Sequence, residues 1–249
     1  MKPPRRSRLV RASAPLCYSI ALMRSATTDP SVTSSQETLD RAPRFGAILW
    51  ISAVQFFVAQ AVVQSAWETP FSLSENFISD LGNTECGPSS GIYVCSPWHV
   101  WMNISFVVLG LQILAGPLIR ARFPAGVLRT VGLGLLAVAG VGVILVGLFP
   151  ENVEATMHRV GAAANFLAGN LGMCVLGIAL WRAGRRRGLG AYSFASGAVG
   201  LLATWLFVSD VYLGLGIGGM ERVAAYPLTV WLIVTGIASV LALSDGAER

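Results

Sequence analysis

Hydrophobic positions along this chain gather into six long stretches, roughly 45–66, 98–119, 126–149, 158–181, 189–213 and 222–243. Each matches the ~20 residues that a helix needs to cross a bilayer. Lipid offers no water to backbone groups, so each stretch is predicted as a helix that closes its own hydrogen bonds. The charges between stretches sort by sign. The second connector carries Arg120, Arg122 and Arg129, and the fourth carries Arg182, Arg185, Arg186 and Arg187. The first holds Glu68, Glu75, Asp80 and Glu85, and the third holds Glu151 and Glu154. Lys and Arg stay on the cytoplasmic side, so both termini are expected inside. The expected fold class is all-α, a polytopic six-helix membrane bundle over 44–244, with an outer loop at 67–97 and a short cytoplasmic tail at 245–249.

Side chains that break the apolar runs show where function could reside. The first span holds Gln55, Gln60 and Gln64 and is followed by Glu68; the second holds His99, Asn103 and Gln112. The fourth opens with His158, and Gly161, Asn165, Gly169 and Gly172 then follow at spacings of three or four as one stripe. The fifth has Thr204, Ser209 and Asp210, and the sixth begins with Glu221 and Arg222. Charged groups in hydrocarbon cost about 2.5–3.5 kcal/mol or more, and they normally face a bundle interior or a cavity. Most of these residues fall in the outer half, which predicts a polar vestibule above dry packing. Residues 131–149 of the third span carry no polar side chain, so that helix is expected to face lipid or to pack passively. The glycine stripe is expected to be a close-packing seam, with Asn165 joining helices across it. His99, between Trp98 and Trp101, suits an interfacial anchor.

Composition agrees with the membrane assignment: 54% hydrophobic and 12% charged residues exclude an ordinary soluble domain. The net charge of +5 does not indicate nucleic acid, because eight of the 18 basic residues precede position 45 and the others mostly flank helices. There they serve topology and contact with anionic lipid. The lipid bilayer is the expected partner and the plasma membrane the expected location. Residues 1–43 are polar, rich in Ser, Thr, Pro and Arg, and predicted to be disordered. An apolar patch from Ala12 to Met23 resembles a weak signal peptide, but Pro15 interrupts it and no cleavage site follows. Met23 is the simpler candidate for the true start.

Cys86 and Cys95 flank a Gly- and Pro-containing segment of the outer loop. An oxidising exterior favours a disulfide between them. The rival, a pair of thiolate ligands, has wider spacing than a Cys-x-x-Cys knuckle. Cys17 and Cys174 read as inert thiols. The run Gly214-Leu215-Gly216-Ile217-Gly218-Gly219 lies between membrane helices rather than between a strand and a soluble helix, so it reads as a turn and not a nucleotide loop. No motif implies a cofactor.

The outer loop reads Glu75-Asn76-Phe77-Ile78-Ser79-Asp80-Leu81-Gly82, in which Ser79 or Asp80 could cap backbone donors. Phe149-Pro150-Glu151 precedes His158, and Glu221-Arg222 stands before Tyr226-Pro227. Together these resemble the domain-of-unknown-function 998 family, small prokaryotic membrane proteins with an Asn-x-Ile-Ser-Asp-Leu-Gly motif. Phe77 fills the variable slot, and the resemblance covers approximately 45–243. It implies a six-helix membrane fold and supplies no activity, cofactor or catalytic residue.

Three functions fit. The smallest demand is made by a non-catalytic binding, sensing or scaffold module. Its outward-facing pocket would be lined by Glu75, Asn76, Ser79, Asn103, Glu151, Asn165, Asp210 and Arg222 and would take a lipid or small molecule. A second is a membrane-embedded hydrolase or transferase acting on lipid-linked substrate at the outer leaflet. Asp80, His158 and Glu221 would be its catalytic group, either as three metal ligands or with His158 as base and a carboxylate orienting it. The chain's two histidines exclude a His-rich metal centre. A third is a small-solute or proton-coupled carrier using Asp210 and the Gln60/Gln64 pair, although no internal duplication supports it.

Overall fold

The computed structural model describes residues 42–89, 91–184 and 186–247. The expected tail as far as residue 41, with Cys17 and Met23, lies outside the described residues, as do Arg185 and 248–249 of the short C-terminal tail. Six helices are long and apolar enough to cross a membrane: α1 Ala42–Ser65, α2 His99–Arg122, α3 Val127–Leu148, α4 Ala155–Arg182, α5 Arg187–Val208 and α6 Gly216–Ala242. They form the helical polytopic bundle that the hydropathy pattern predicts. The last helix begins at Gly216 instead of 222, so Glu221 and Arg222 sit inside it rather than at its mouth.

Helices adjacent in sequence pack together, and α6 returns to α1 to close the ring. There a Cβ on Gly236 would stand 2.8 Å from the Ala47 carbonyl oxygen. The buried rings of Trp50 and Trp231 lie 5.3 Å apart across the same seam, and the Trp231 indole N–H donates to Ser193 Oγ of α5 at 2.7 Å.

The third span follows the second of its two expectations, packing over 131–149 without any polar side chain. Helix α3 is a pillar packed against both α2 and α4, and its contact points are glycines. A Cβ on Gly142 would come within 2.5 Å of the Gly161 carbonyl oxygen, and one on Gly140 within 2.9 Å of that of Gly110. In lipid no hydrophobic effect drives helices together, so this close backbone approach supplies the packing. The stripe on α4 is a packing seam as expected: Gly161 meets Gly142, and Gly172 meets Gly132. Asn165 does not join helices. Its Oδ1 is buried without a hydrogen-bond partner. Asn170, one π-helical turn further on (Asn165–Gly169), takes that role. Its Nδ2 donates to the Phe166 carbonyl at 2.7 Å and to Ala224 of α6 at 3.0 Å.

Packing within the spans is also less dry than expected. Helices α1 and α2 are clasped by side chains well inside both spans. Ser105 Oγ donates to Gln55 Oε1 at 2.8 Å, and Gln112 Nε2 donates to Ser52 Oγ at 2.8 Å. Each group satisfies another that would otherwise be stranded in hydrocarbon. Between α1 and α2, an antiparallel pair, β1 Gly87–Ser89 and β2 Ile92–Val94, forms a small hairpin. The expected Cys86–Cys95 disulfide closes its base, which restricts the unfolded chain by roughly 2–3 kcal/mol.

Gly142→Ala should lower the thermal midpoint of the detergent-solubilised protein by several degrees, because the Cβ meets backbone that has no rotamer to change. Gly134→Ala, with nothing within 4 Å of the new methyl, should be neutral or slightly stabilising through helix propensity. Indistinguishable melting curves for the two variants would sink the glycine-pillar account.

Candidate functional site

The connector from α1 to α2 leaves regular structure where water is scarce, so its backbone polar groups need partners from elsewhere. Some come from its own motif. Asp80 Oδ2 accepts the Phe77 N–H at 2.9 Å and the Asn76 Nδ2 at 3.4 Å, folding the segment onto the short turn Ser79–Gly82. Ser96 Oγ donates to the Leu81 carbonyl at 2.7 Å, and Asn103 Nδ2 of α2 to the Gly82 carbonyl at 2.9 Å. Any side chain at position 82 would collide with the Asn103 amide, which accounts for the motif's glycine.

Helix α6 supplies the rest. Glu221 Oε2 accepts the Ile78 N–H at 2.5 Å. Arg222 Nη1 donates to the carbonyls of Asn76 at 2.7 Å, Leu73 at 3.1 Å and its own Gly218 at 2.8 Å, with its guanidinium carbon 5.6 Å from the Phe71 ring centre. The glycine run is therefore more than a turn. Gly216 and Gly218 begin α6 with the Ser74 and Asn76 carbonyls where a Cβ would be, and the Gly218 N–H donates to Ser74 O at 2.8 Å.

The third connector, between α3 and α4, locks the same cap from the other side. Ser79 Oγ donates to Glu151 Oε2 at 3.0 Å. Thr84 and Asn152 pair reciprocally, through N–H to Oδ1 at 3.1 Å and Nδ2 to Oγ1 at 3.0 Å. In the first turn of α4, His158 Nδ1–H donates to the Phe149 carbonyl at 3.0 Å. That bond leaves Nε2 of the neutral ring as an acceptor.

Beneath the cap lies a cavity of about 40 Å³, with Ser79, His158, Asn165 and Glu221 in its wall beside Phe56 and Phe106. It has room for a few water-sized groups. Of the three residues read as catalytic, His158 and Glu221 share this wall, whereas Asp80 does not and is spent on holding the turn. Among the described residues no group of three or more His, Cys, Asp or Glu side chains is placed to hold a metal ion. Of the residues read as pocket-lining, Ser79 and Asn165 reach the cavity. Asn76, Asn103, Glu151 and Arg222 bind cap backbone or side chains instead. Glu75 is exposed. Asp210 is exposed as well, with φ of 57°, and accepts the Tyr212 hydroxyl at 2.7 Å in the loop before α6. Thr84, Asn152 and Asn170 escaped the sequence reading: short polar side chains, two in loops and one within a span, carry no pattern that names their partners.

The family profile described as "Protein of unknown function (DUF998)" matches residues 51–238. No curated protein and no solved structure matches the chain significantly.

Burial pushes the Asp80 carboxyl up to about 6, and Glu151 nearby adds to this, while the Phe77 and Asn76 hydrogen bonds and Arg222 oppose it. A raised acid favours the protonated fold. The stability it contributes is complete below the ordinary aspartate value and is lost as pH rises through about 6. Wild-type protein in detergent should therefore lose up to about 2–3 kcal/mol between pH 4 and pH 7 through this group. Asp80→Asn, which retains an acceptor for Phe77, should flatten the profile across that window. Superimposable pH–stability curves for the two proteins would refute the assignment.

Proposed function

We propose that this chain, which belongs to the DUF998 family, is a multi-pass plasma-membrane protein acting as a non-catalytic binding and sensing module for a small polar ligand. The cap 67–98 and its cavity face outward in this proposal, and both termini lie in the cytoplasm. Two independent features support that orientation. Arg120, Arg122, Arg129, Arg182, Arg186 and Arg187 cluster at the end of the bundle away from the cap, as cytoplasmic residues do. The Cys86–Cys95 disulfide lies on the cap side, as an oxidising compartment requires.

The observation that carries the binding function is that Glu221 lines the cavity and also holds the Ile78 N–H of the cap. A ligand that engages this carboxylate alters the group that fixes the cap, so occupancy of the cavity is coupled to order in the outer loop. Features that favour binding over turnover are chemical. The Ser79 hydroxyl hydrogen goes to Glu151 and not to His158, so no nucleophile is paired with the one histidine on the cavity wall. A space of about 40 Å³ admits a few heavy atoms and no lipid headgroup.

Thermal shift and hydrogen exchange on the purified protein test this with a panel of small solutes: formamide, acetamide, urea, ammonium and methylammonium chloride. At least one should raise the melting temperature saturably and slow amide exchange across 72–82, and both effects should vanish in His158→Ala. A panel without effect on either measurement would sink the binding function. Reporter fusions should place 182–188 in the cytoplasm; an external location would overturn the orientation.

A further inference from the structure

From the chemistry of the cavity wall we infer that its ligand is a small N–H-donating cation, an ammonium ion or a one-carbon primary amine. This inference rests on the binding function above and names its ligand class. The wall is dominated by acceptors. Glu221 Oε2 takes only the Ile78 N–H, so the carboxyl group retains lone pairs for further donors. His158 has donated Nδ1–H to Phe149 and offers Nε2. Ser79 has donated its hydroxyl hydrogen to Glu151 and offers lone pairs. Asn165 Oδ1 is buried with no partner at all. Against these, donors from the Asn165 amide and the Thr229 hydroxyl are fewer.

Leaving a buried acceptor unpaired is costly, so several around one small space select a species rich in donors. Charge narrows the choice. Glu221 is on the wall and Arg222 is not: its Nη1 donates to the carbonyls of Leu73, Asn76 and Gly218, while its buried Nε and Nη2 have no hydrogen-bond partner among the described residues. The rings of Phe56 and Phe106, 5.4 Å apart, form part of the same wall, and aromatic faces attract a desolvated cation. A nitrogen acceptor suits an alkali ion poorly, since hard cations prefer oxygen.

Isothermal titration of the detergent-solubilised full chain tests this with chloride salts of ammonium, methylammonium, tetramethylammonium, sodium and potassium at constant ionic strength. Ammonium or methylammonium should bind saturably. Tetramethylammonium, which has no N–H and is too large, should not bind. Glu221→Gln should weaken binding at least tenfold, and Asn165→Leu severalfold. Asn165 makes no cap contact, so its variant keeps the test decisive if Glu221→Gln fails to fold. Sodium or potassium binding as tightly as ammonium would overturn the inference. So would binding of formamide, acetamide or urea with none of ammonium, which would leave the binding function standing. Silence from every neutral and cationic solute would remove both.

Discussion

Irregular backbone at the lip of a membrane bundle must have its polar groups satisfied, and in this protein two consecutive residues of the last helix do most of that work. Glu221 accepts from Ile78, and Arg222 donates to Leu73 and Asn76. A carboxylate and a guanidinium side by side treat opposite ends of the peptide unit, one taking N–H and the other giving to C=O. Charge-assisted hydrogen bonds such as those of the Arg222 guanidinium are roughly twice as strong as neutral ones. The cap therefore sits where α6 puts it, and the cavity exists because the cap rests on side chains rather than filling the space between helices.

The lower part of the bundle obeys a different rule. Helices meet there through absent side chains, with Gly132 on Gly172 and Gly177 on Gly190. A few reciprocal polar pairs, Gln55 with Ser105 and Gln112 with Ser52, fix which helix neighbours which. Rigid close packing below and a hydrogen-bonded cap above separate a scaffold from a responsive end. The π-helical turn at Asn165–Gly169 marks the boundary. It points Asn165 at the cavity while Asn170 ties α4 to α6.

How much of this was legible in the sequence depended on whether a residue's meaning was local. Spans are local, because hydrocarbon imposes the same demand on every segment that crosses it. The disulfide is nearly so, with Cys86 and Cys95 nine positions apart. The Asn76–Gly82 motif announced a turn, and Asp80 does cap Phe77. Its distant partners were silent, since Ile78 and Glu221 stand 143 positions apart. The contact points of helix α3 were not legible, because glycine is neutral in a hydropathy pattern and its importance lies in what it lacks. Asn165 and Asn170 differ by five positions, and only the wider π turn decides which of them reaches α6.

That long separation has a bearing on how the molecule is made. The cap leaves the ribosome before α2, while its clamp Glu221 follows 143 positions after Ile78. Until α6 has inserted, the segment around Ile78 has neither of its charged partners and stays accessible to proteases. Closure of the cap thus waits for α6, and a chain truncated before α6 would display its own incompleteness at the membrane surface.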